Sequence, residues 1–491
     1  MSVESDNALR PAAAIILAAG KSTRMRSSLP KPLHPVCGIP MTEHVIRACK
    51  SAGIHRIVVV IGHEAELVRE GLGDSVEYVV QHEQKGTAHA VQCAQSLLSH
   101  WDGPIITLAG DTPLLQSSTI AQLLQLRAKS NSPLAMLTVS LPDPAGYGRI
   151  IRDSEGQVCA IIEEKDASAS QREISECNPS LYAFNGPSLW KSLKEIKSDN
   201  VQGEFYLTDV ISILRKSSQR IESLQVQDHR DVLGVNNRVD LSVVQAVMKQ
   251  RLMEQHMLNG VTVTDPSSTY IEMDVEIGQD TLLEPNTILL RGTRIGQRCH
   301  IGAFSRLERA VLEDEVKVLG AWITDSTLHN TSRVGPFSQL RPGSTLNVGA
   351  RVGNFVELKN TTLGVGAQAL HLSYLGDTEV GDSTNIGAGV ITCNYDGFLK
   401  HRTVIGERCF IGSHVTLIAP IVVGNGAFLA AGSPISENVP SDAFAIARER
   451  AVVKPDWAAK YRARKLAEVQ QKKSQAVVHE LESSSTHPAT R

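Results

Sequence analysis

The chain has 491 residues and a net charge of −3, too long for a single core and of the wrong sign for a surface devoted to nucleic acid. A hydrophobic fraction of 42% is ordinary for a soluble protein, while 4% aromatic residues suits an interior too narrow for Trp. Eight cysteines stand singly, with no C-x-x-C pair, which argues against a zinc site or disulfide framework and for free thiols in a reducing cytosol.

The apolar run Ala12–Ala19 is too short to span a membrane, lacks a basic leader and ends in Gly20-Lys21, so a cytoplasmic protein without membrane insertion is expected. Up to about Arg238, strand-like runs (Ala12–Ala18, Ile57–Ile61, Val76–Val80, Ile105–Ala109, Leu134–Val139) alternate with helical stretches such as Met41–Ala52 and Ala88–Leu98. That alternation predicts a mainly parallel α/β sheet. Leu241–Leu258 reads as one helix, with Val244, Val247, Met248, Leu252 and Met253 on a face and Asn259-Gly260 as its stop. It divides the chain into 1–238, a linker 239–260, and 261–491.

Beyond the linker, from near Ile277 to about Val439, a six-residue spacing takes over. Val334, Leu340, Leu346, Val352 and Leu358 keep it, as do Val380 and Ile386, and then Ile405, Ile411, Leu417, Val423, Leu429 and Ile435. Neither a helix nor a simple strand has this period. Hexapeptide repeats build a parallel β-helix, a prism whose interior corners take the branched aliphatic side chains. A few steps are five residues, as from Leu307 to Leu312, and the spacing breaks at Thr392-Cys393-Asn394-Tyr395-Asp396-Gly397. A regular prism interrupted by a polar loop is a scaffold presenting a site; the plainer alternative is a structural stack that tolerates an insertion. After Pro455, a basic helical stretch (Tyr461–Lys473) is expected to give way to a disordered tail from Ser483.

The first strand ends in Leu17-Ala18-Ala19-Gly20-Lys21-Ser22-Thr23-Arg24-Met25, and Pro30-Lys31-Pro32-Leu33 follows. A small-residue loop at the carboxyl end of a parallel strand lets backbone N–H groups approach phosphate, and Arg24 and Lys31 supply two cations for a triphosphate. These motifs resemble the sugar-1-phosphate nucleotidylyltransferase family, with Ser22 where that family usually has a second glycine. The resemblance implies that Leu17, Ala18, Ala19, Gly20, Arg24 and Lys31 bind the nucleotide. It implies that Gln81, Gly86 and Thr87, within Gln81–Ala88, read the nucleobase. It makes Asp111, in Ala109-Gly110-Asp111, a Mg²⁺ ligand beside the nucleotide-binding Ala109 and Gly110. It places Gly148, Glu163 and Asn178 at the sugar, with Pro179-Ser180 where the family has Thr-Gly, and Asn236 at both the nucleotide and the metal. The chemistry needs no protein nucleophile: a sugar phosphate attacks the α-phosphorus and pyrophosphate leaves, so positioning and electrostatics carry the catalysis.

On the prism stand Arg341-Pro342-Gly343, Asn354–Lys359, His371–Asp377, Asn385–Gly389 and the Asn394–Gly397 loop. Hexapeptide prisms are widely used by acyltransferases that take acetyl-coenzyme A between neighbouring subunits. An amine attacking a thioester must lose a proton, and a neutral imidazole is the natural base; His371, set among Lys359, Tyr374 and Asn385, is the candidate. Arg341 and Lys359 suit the phosphate of a sugar phosphate, with Tyr374 and Asn385 completing that set.

The motif order over roughly residues 12–456 resembles the bifunctional bacterial N-acetylglucosamine-1-phosphate uridylyltransferase/glucosamine-1-phosphate acetyltransferase family. This implies an N-terminal Rossmann-like α/β domain followed by a left-handed parallel β-helix, an exception to right-handed crossovers. It also implies a homotrimer using UTP, sugar phosphates and acetyl-coenzyme A, with Ala388, Asn394, Tyr395, Ser413, Ala431 and Arg448 on the coenzyme. The rival reading is a single-activity sugar-1-phosphate nucleotidylyltransferase with the β-helix as a trimerisation scaffold.

Overall fold

Strand Arg56–Ile61 reads Arg-Ile-Val-Val-Val-Ile and is buried over all but its first residue, the composition of a strand covered on both faces. In the computed structural model, which describes residues 11–20 and 23–484, it pairs in parallel with Ala13–Leu17 and Glu77–Val80. Ala13–Leu17 pairs in parallel with Pro104–Ala109 on its other side. Alternate residues feed opposite layers: Ala13, Ile15, Val58 and Val60 enter one core, Ala14, Ile16, Val59 and Ile61 the other. Lys21 and Ser22 of the phosphate loop lie outside the described residues, as does the tail from Ser485.

The expectation of a mainly parallel sheet holds for this half only. Tyr182–Asn185 runs antiparallel between Pro104–Ala109 and Leu134–Ser140, and Glu176–Asn178, Gly148–Arg152 and Val158–Ile162 continue antiparallel to the far edge. Glu176–Asn178 and Tyr182–Asn185 run in the same direction, both antiparallel to Leu134–Ser140, with Pro179–Leu181 as an irregular link between them, while Ile221–Gln225 adds one parallel pair to that strand. Two smaller corrections concern burial and continuity. Glu77–Val80, expected as a buried strand, is the sheet edge and only half-buried. The stretch Ala88–Leu98 is two helices, Thr87–Cys93 and Gln95–Leu98, meeting at Ala94.

The linker helix spans Arg238–Leu258, one turn earlier than its apolar spacing suggests. Asn237 and Asp240 explain the early start: they form a capping box, the Asn237 side chain accepting from the Asp240 amide at 3.0 Å. Val244, Met248, Leu252 and Met253 are buried, and Met253 belongs to the prism core, so the helix caps the coil it leads into.

The prism consists of three parallel sheets of 11, 10 and 9 strands, from Thr262–Val263 to Phe444–Ala445, slightly longer at both ends than the repeat predicts. Ile405 lies against Val423, Ile411 against Leu429 and Leu417 against Ile435, three hexads per coil. The five-residue step is absorbed without breaking the stack, since Leu312 still faces Ile295. Coils approach closely at the corners: a Cβ on Gly412 would stand 2.6 Å from the Ala431 amide nitrogen, and one on Gly424 2.4 Å from that of Ser441. Only glycine fits there. The Asn394–Gly397 break is an ordered hairpin in which Asp396 accepts from the amides of Phe398 (2.8 Å) and Leu399 (2.7 Å).

The last helix runs Trp457–Ser484, past the expected end at Lys473 and through Ser483, because no glycine or proline interrupts it. No helix among the described residues is long and apolar enough to cross a membrane.

Candidate active sites on the sheet and on the prism

The carboxyl ends of Ala13–Leu17 and Pro104–Ala109 open on a cavity of about 470 Å³, where parallel sheets place ligands. Leu17, Ala18, Ala19, Gly20, Lys31, Gln81, Gly86, Thr87, Ala109, Gly110 and Asp111 all line it. Gly110 is pinned by its amide to Leu17 O (2.9 Å) and by the Thr42 hydroxyl donating to its carbonyl (2.7 Å), which aims Asp111 inward. The Lys31 ammonium forms a short ion pair with Asp111 and lies 3.5 Å from Asn236 Oδ1. Arg24 donates to the same Asn236 oxygen at 2.9 Å. Two cations, a carboxylate and a carboxamide therefore converge, with Arg24 and Asn236 lining an adjoining cavity of about 360 Å³.

Gln81 donates to Gly86 O at 3.1 Å. Gly86 has φ +105°, and a Cβ there would stand 2.5 Å from Phe205 O, so glycine admits the segment carrying Glu204 against the cavity. The Thr87 hydroxyl accepts from the Leu207 amide at 2.9 Å. Glu163, Asn178 and Gly148 form a separate layer. Glu163 accepts from Thr208 (3.1 Å), and burial holds its carboxyl above the usual range. Asn178 donates to the Tyr182 hydroxyl at 2.7 Å, and Gly148 leaves room beside Glu163. Five cavity-lining residues carry no assignment from the sequence: Pro32, Gln84, Ala90, Ser180 and Glu204. Gln84 lies within the quoted Gln81–Ala88 motif, whereas nothing local marks Glu204.

On the prism the assigned residues fall into two groups. At one corner, Ala388, Ser413 and Ala431 stack coil upon coil, His414 N bonding Ala388 O (2.7 Å) and Gly432 N bonding Ser413 O (2.8 Å). His371 is exposed at the end of Gln368–His371 in that line, level with Asn354, and Asn385 follows one strand on. Across the neighbouring face, Arg341 pairs with Glu357 (2.9 Å) and Lys359 with Asp377 (3.5 Å). Asn394 bonds that same Asp377, and the Tyr374 hydroxyl lies over Gly376 next to the Asn394 amide. Tyr395 is exposed and donates to Gly397 O at 2.6 Å. Arg448 is exposed beyond the last strand.

Lys400 also escaped the sequence reading. It bridges antiparallel to Tyr395 and lines a polar cavity of about 300 Å³ with Asp377, His401 and Arg402. The contact with Lys359, together with that residue's charge, holds the Lys400 ammonium below its ordinary pKa. Two ammonium groups turned on one another mark a place for an anion.

Comparison with known proteins agrees with both halves. Residues 14–200 match the MobA-like NTP transferase domain, and residues 402–436 match the hexapeptide repeat of succinyl-transferase, so the coil is a left-handed β-helix. The bifunctional protein GlmU of Brevibacillus brevis is 47% identical over 447 residues, 91% of this chain and 97% of the relative. That of Shouchella clausii is 45% identical over 91% and 98%, and that of Acetivibrio thermocellus 44% over 91% and 97%. The chain belongs to the family of bifunctional GlmU proteins, enzymes that join a nucleotidyltransferase to a hexapeptide-repeat acetyltransferase in one polypeptide.

Proposed function

We propose that the two sites carry consecutive steps of UDP-N-acetylglucosamine synthesis. The prism acetylates glucosamine-1-phosphate with acetyl-coenzyme A, and the α/β domain joins the product to UTP. The observation that carries this reading is the pairing, within a chain 47% identical to a bifunctional relative, of a triphosphate-sized cavity on the sheet with an exposed histidine and a separate cluster of cations on the prism.

In the first step the amine nitrogen attacks the thioester carbonyl, His371 accepts the amine proton, and the C–S bond breaks with coenzyme A leaving as the thiol. Arg341, Lys359 and Lys400 hold the sugar phosphate, with Tyr374 and Asn385 orienting the ring. Ala388, Asn394, Tyr395, Ser413, Ala431 and Arg448 take the coenzyme. In the second step a phosphate oxygen of the sugar attacks the α-phosphorus and the α–β phosphoanhydride bond breaks. Gly20, Arg24 and Lys31 neutralise the triphosphate, Gln81, Gly86 and Thr87 hold the base, and Gly148, Glu163 and Asn178 hold the sugar.

Asp111 and Asn236 suit Mg²⁺: both offer hard oxygens, and Mg²⁺ is commonly held by one or two carboxylates plus substrate phosphates. When bound, it spreads the charge developing on pyrophosphate. Lys31 and Arg24 bond these same two oxygens, so their chemistry matches a cation.

A homotrimer is supported by the separation of the two prism groups, which leaves His371 and Arg448 without the cations in one chain. It is supported too by a column of exposed apolar side chains, Phe304, Phe337, Phe355 and Leu372, at the corner that carries His371. Boundaries at 238 and 260 follow from the linker helix, and eight free cysteines fit a reducing cytoplasm.

The test is sequential. Protein supplied with acetyl-coenzyme A and glucosamine-1-phosphate should release thiol, and adding UTP with Mg²⁺ should then release pyrophosphate. Pyrophosphate from supplied N-acetylglucosamine-1-phosphate without any thiol release would leave only the single-activity reading.

A further inference from the structure

The hairpin of Pro35–Val36 and Ile39–Pro40 holds no reacting group, yet it is fixed at both ends. At its tip, the Cys37 amide donates to Gln245 Oε1 of the linker helix (2.9 Å). The Cys37 carbonyl accepts from the Met273 amide of the first coil (2.8 Å). Gln245 is itself held by donating to the Tyr270 hydroxyl at 2.8 Å. Gly38 has φ +85°, and a Cβ there would stand 2.6 Å from the carboxyl of Glu272. This tip is fitted to the base of the prism.

The other end leads into the nucleotide cavity, because Lys31 lies four residues before Pro35. The link is stiff: Pro30, Pro32, Pro35 and Pro40 each fix φ, and the Met41 amide bonds His34 O at 3.0 Å. A small core joins the same parts. Met25, Val36, Cys37 and Val235 pack with Val244, Met248 and Leu252 of the linker helix, and Met273 of the prism lies against them. Met25 adjoins Arg24, and Val235 adjoins Asn236. Each polar group clustered around Asp111 is therefore a short, rigid step from a residue packed on the linker.

We propose that the linker helix and first coil act through this clasp to position Arg24, Lys31 and Asn236, making Cys37, Gly38 and Gln245 positioning residues for nucleotidyl transfer. The proposal rests on the functional reading above. It makes the prism base part of the nucleotide site's support, not a spacer between two independent enzymes.

The test uses full-length Gly38→Ala, Gln245→Ala and Gln245→Glu beside wild type, with both activities measured. A misplacement of about 1 Å can cost ~10²-fold. Gly38→Ala should accordingly lower kcat/KM for UTP about 10–100-fold and leave acetyl transfer within about twofold. Gln245→Ala should lose less, mainly through KM for UTP. Gln245→Glu keeps an acceptor for both the Cys37 amide and the Tyr270 hydroxyl and should restore the wild-type KM. Adding Glu272→Ala to Gly38→Ala should recover part of the loss by removing the collision. Losses of equal size in both activities, or Gly38→Ala within about twofold of wild type for UTP, overturn the proposal. A wild-type protein that forms no nucleotide sugar overturns the functional reading instead.

Discussion

In the nucleotide cavity the charged groups already satisfy one another: Lys31 holds Asp111, Arg24 holds Asn236, and backbone bonds fix the strand ends beneath them. On the prism Arg341 pairs with Glu357 and Lys359 with Asp377, but these pairs stand apart from the histidine. His371 is exposed at a coil corner, and Lys359 faces Lys400 across the loop hairpin. The first cavity is lined by one chain because a twisted sheet gathers loops from distant sequence at one edge. The second lies on a convex prism, whose polar cavity of about 300 Å³ gathers Asp377, Lys400, His401 and Arg402 but not His371; in the proposed trimer a neighbouring copy would supply the facing wall. A sheet supplies enclosure; a prism supplies a ruled surface.

The sharpest way to break this comparison is His371→Ala. Positioned bases contribute about 10²–10⁴-fold, so acetyl transfer should fall by that order, with acetyl-coenzyme A binding little changed and uridylyl transfer intact. Acetylation within about threefold of wild type would make His371 a packing residue. Asp111→Ala is the mirror test. Loss of one group poised on developing charge costs about 10²–10³-fold, read as pyrophosphate release, while thiol release stays near wild type. Equal loss of both activities would show that the two regions do not fail separately.

The smallest expected effect is on stability and separates the regions by pH. Burial, chiefly, pushes His44 down to about 4, and its Nε2 lies 2.8 Å from Val36 O; burial also lowers His34. A histidine depressed in the folded state contributes stability present above its unfolded pKa of about 6.5, and that stability is lost as pH falls towards the folded value. Prism His300 and His329 instead pair with Glu284 and Glu313, whose carboxyls are held below their usual range. That contribution persists until those acids protonate. Between about pH 6.5 and 4.5 the α/β transition should shift down by a few degrees relative to the prism in calorimetry, about 2–4 °C per kcal/mol. His44→Gln should reduce the shift; a transition that does not move with pH would contradict the assignment.

Much of this was legible in the chain itself because it rests on local periodicity. The hexads of Ile405–Ile435 name the interior corners, and the run ending at Gly20 names the cavity. What stayed hidden is set by tertiary packing. The antiparallel half of the sheet has the same apolar strands as the parallel half, so connection geometry, not composition, decides direction. Glu204 reaches the cavity only because Gly86 admits its segment, and Lys400 meets Lys359 only because the Asn394–Gly397 hairpin folds back. The late reach of the C-terminal helix was missed for a different reason: a polar, serine-ended stretch without glycine or proline carries no stop signal.

The coil also works as a ruler. Gln368–His371 is the seventh strand from the base of its sheet, and six intervals of about 4.8 Å set His371 roughly 29 Å above the linker along the prism axis. Each coil is an exchangeable unit whose corners match the next, so deleting one should shorten that distance by a single step while preserving inward and outward faces. The separation between the two chemistries is then an integer property of the gene, adjustable by duplication or loss of about eighteen codons, three hexads per coil, without redesigning either site.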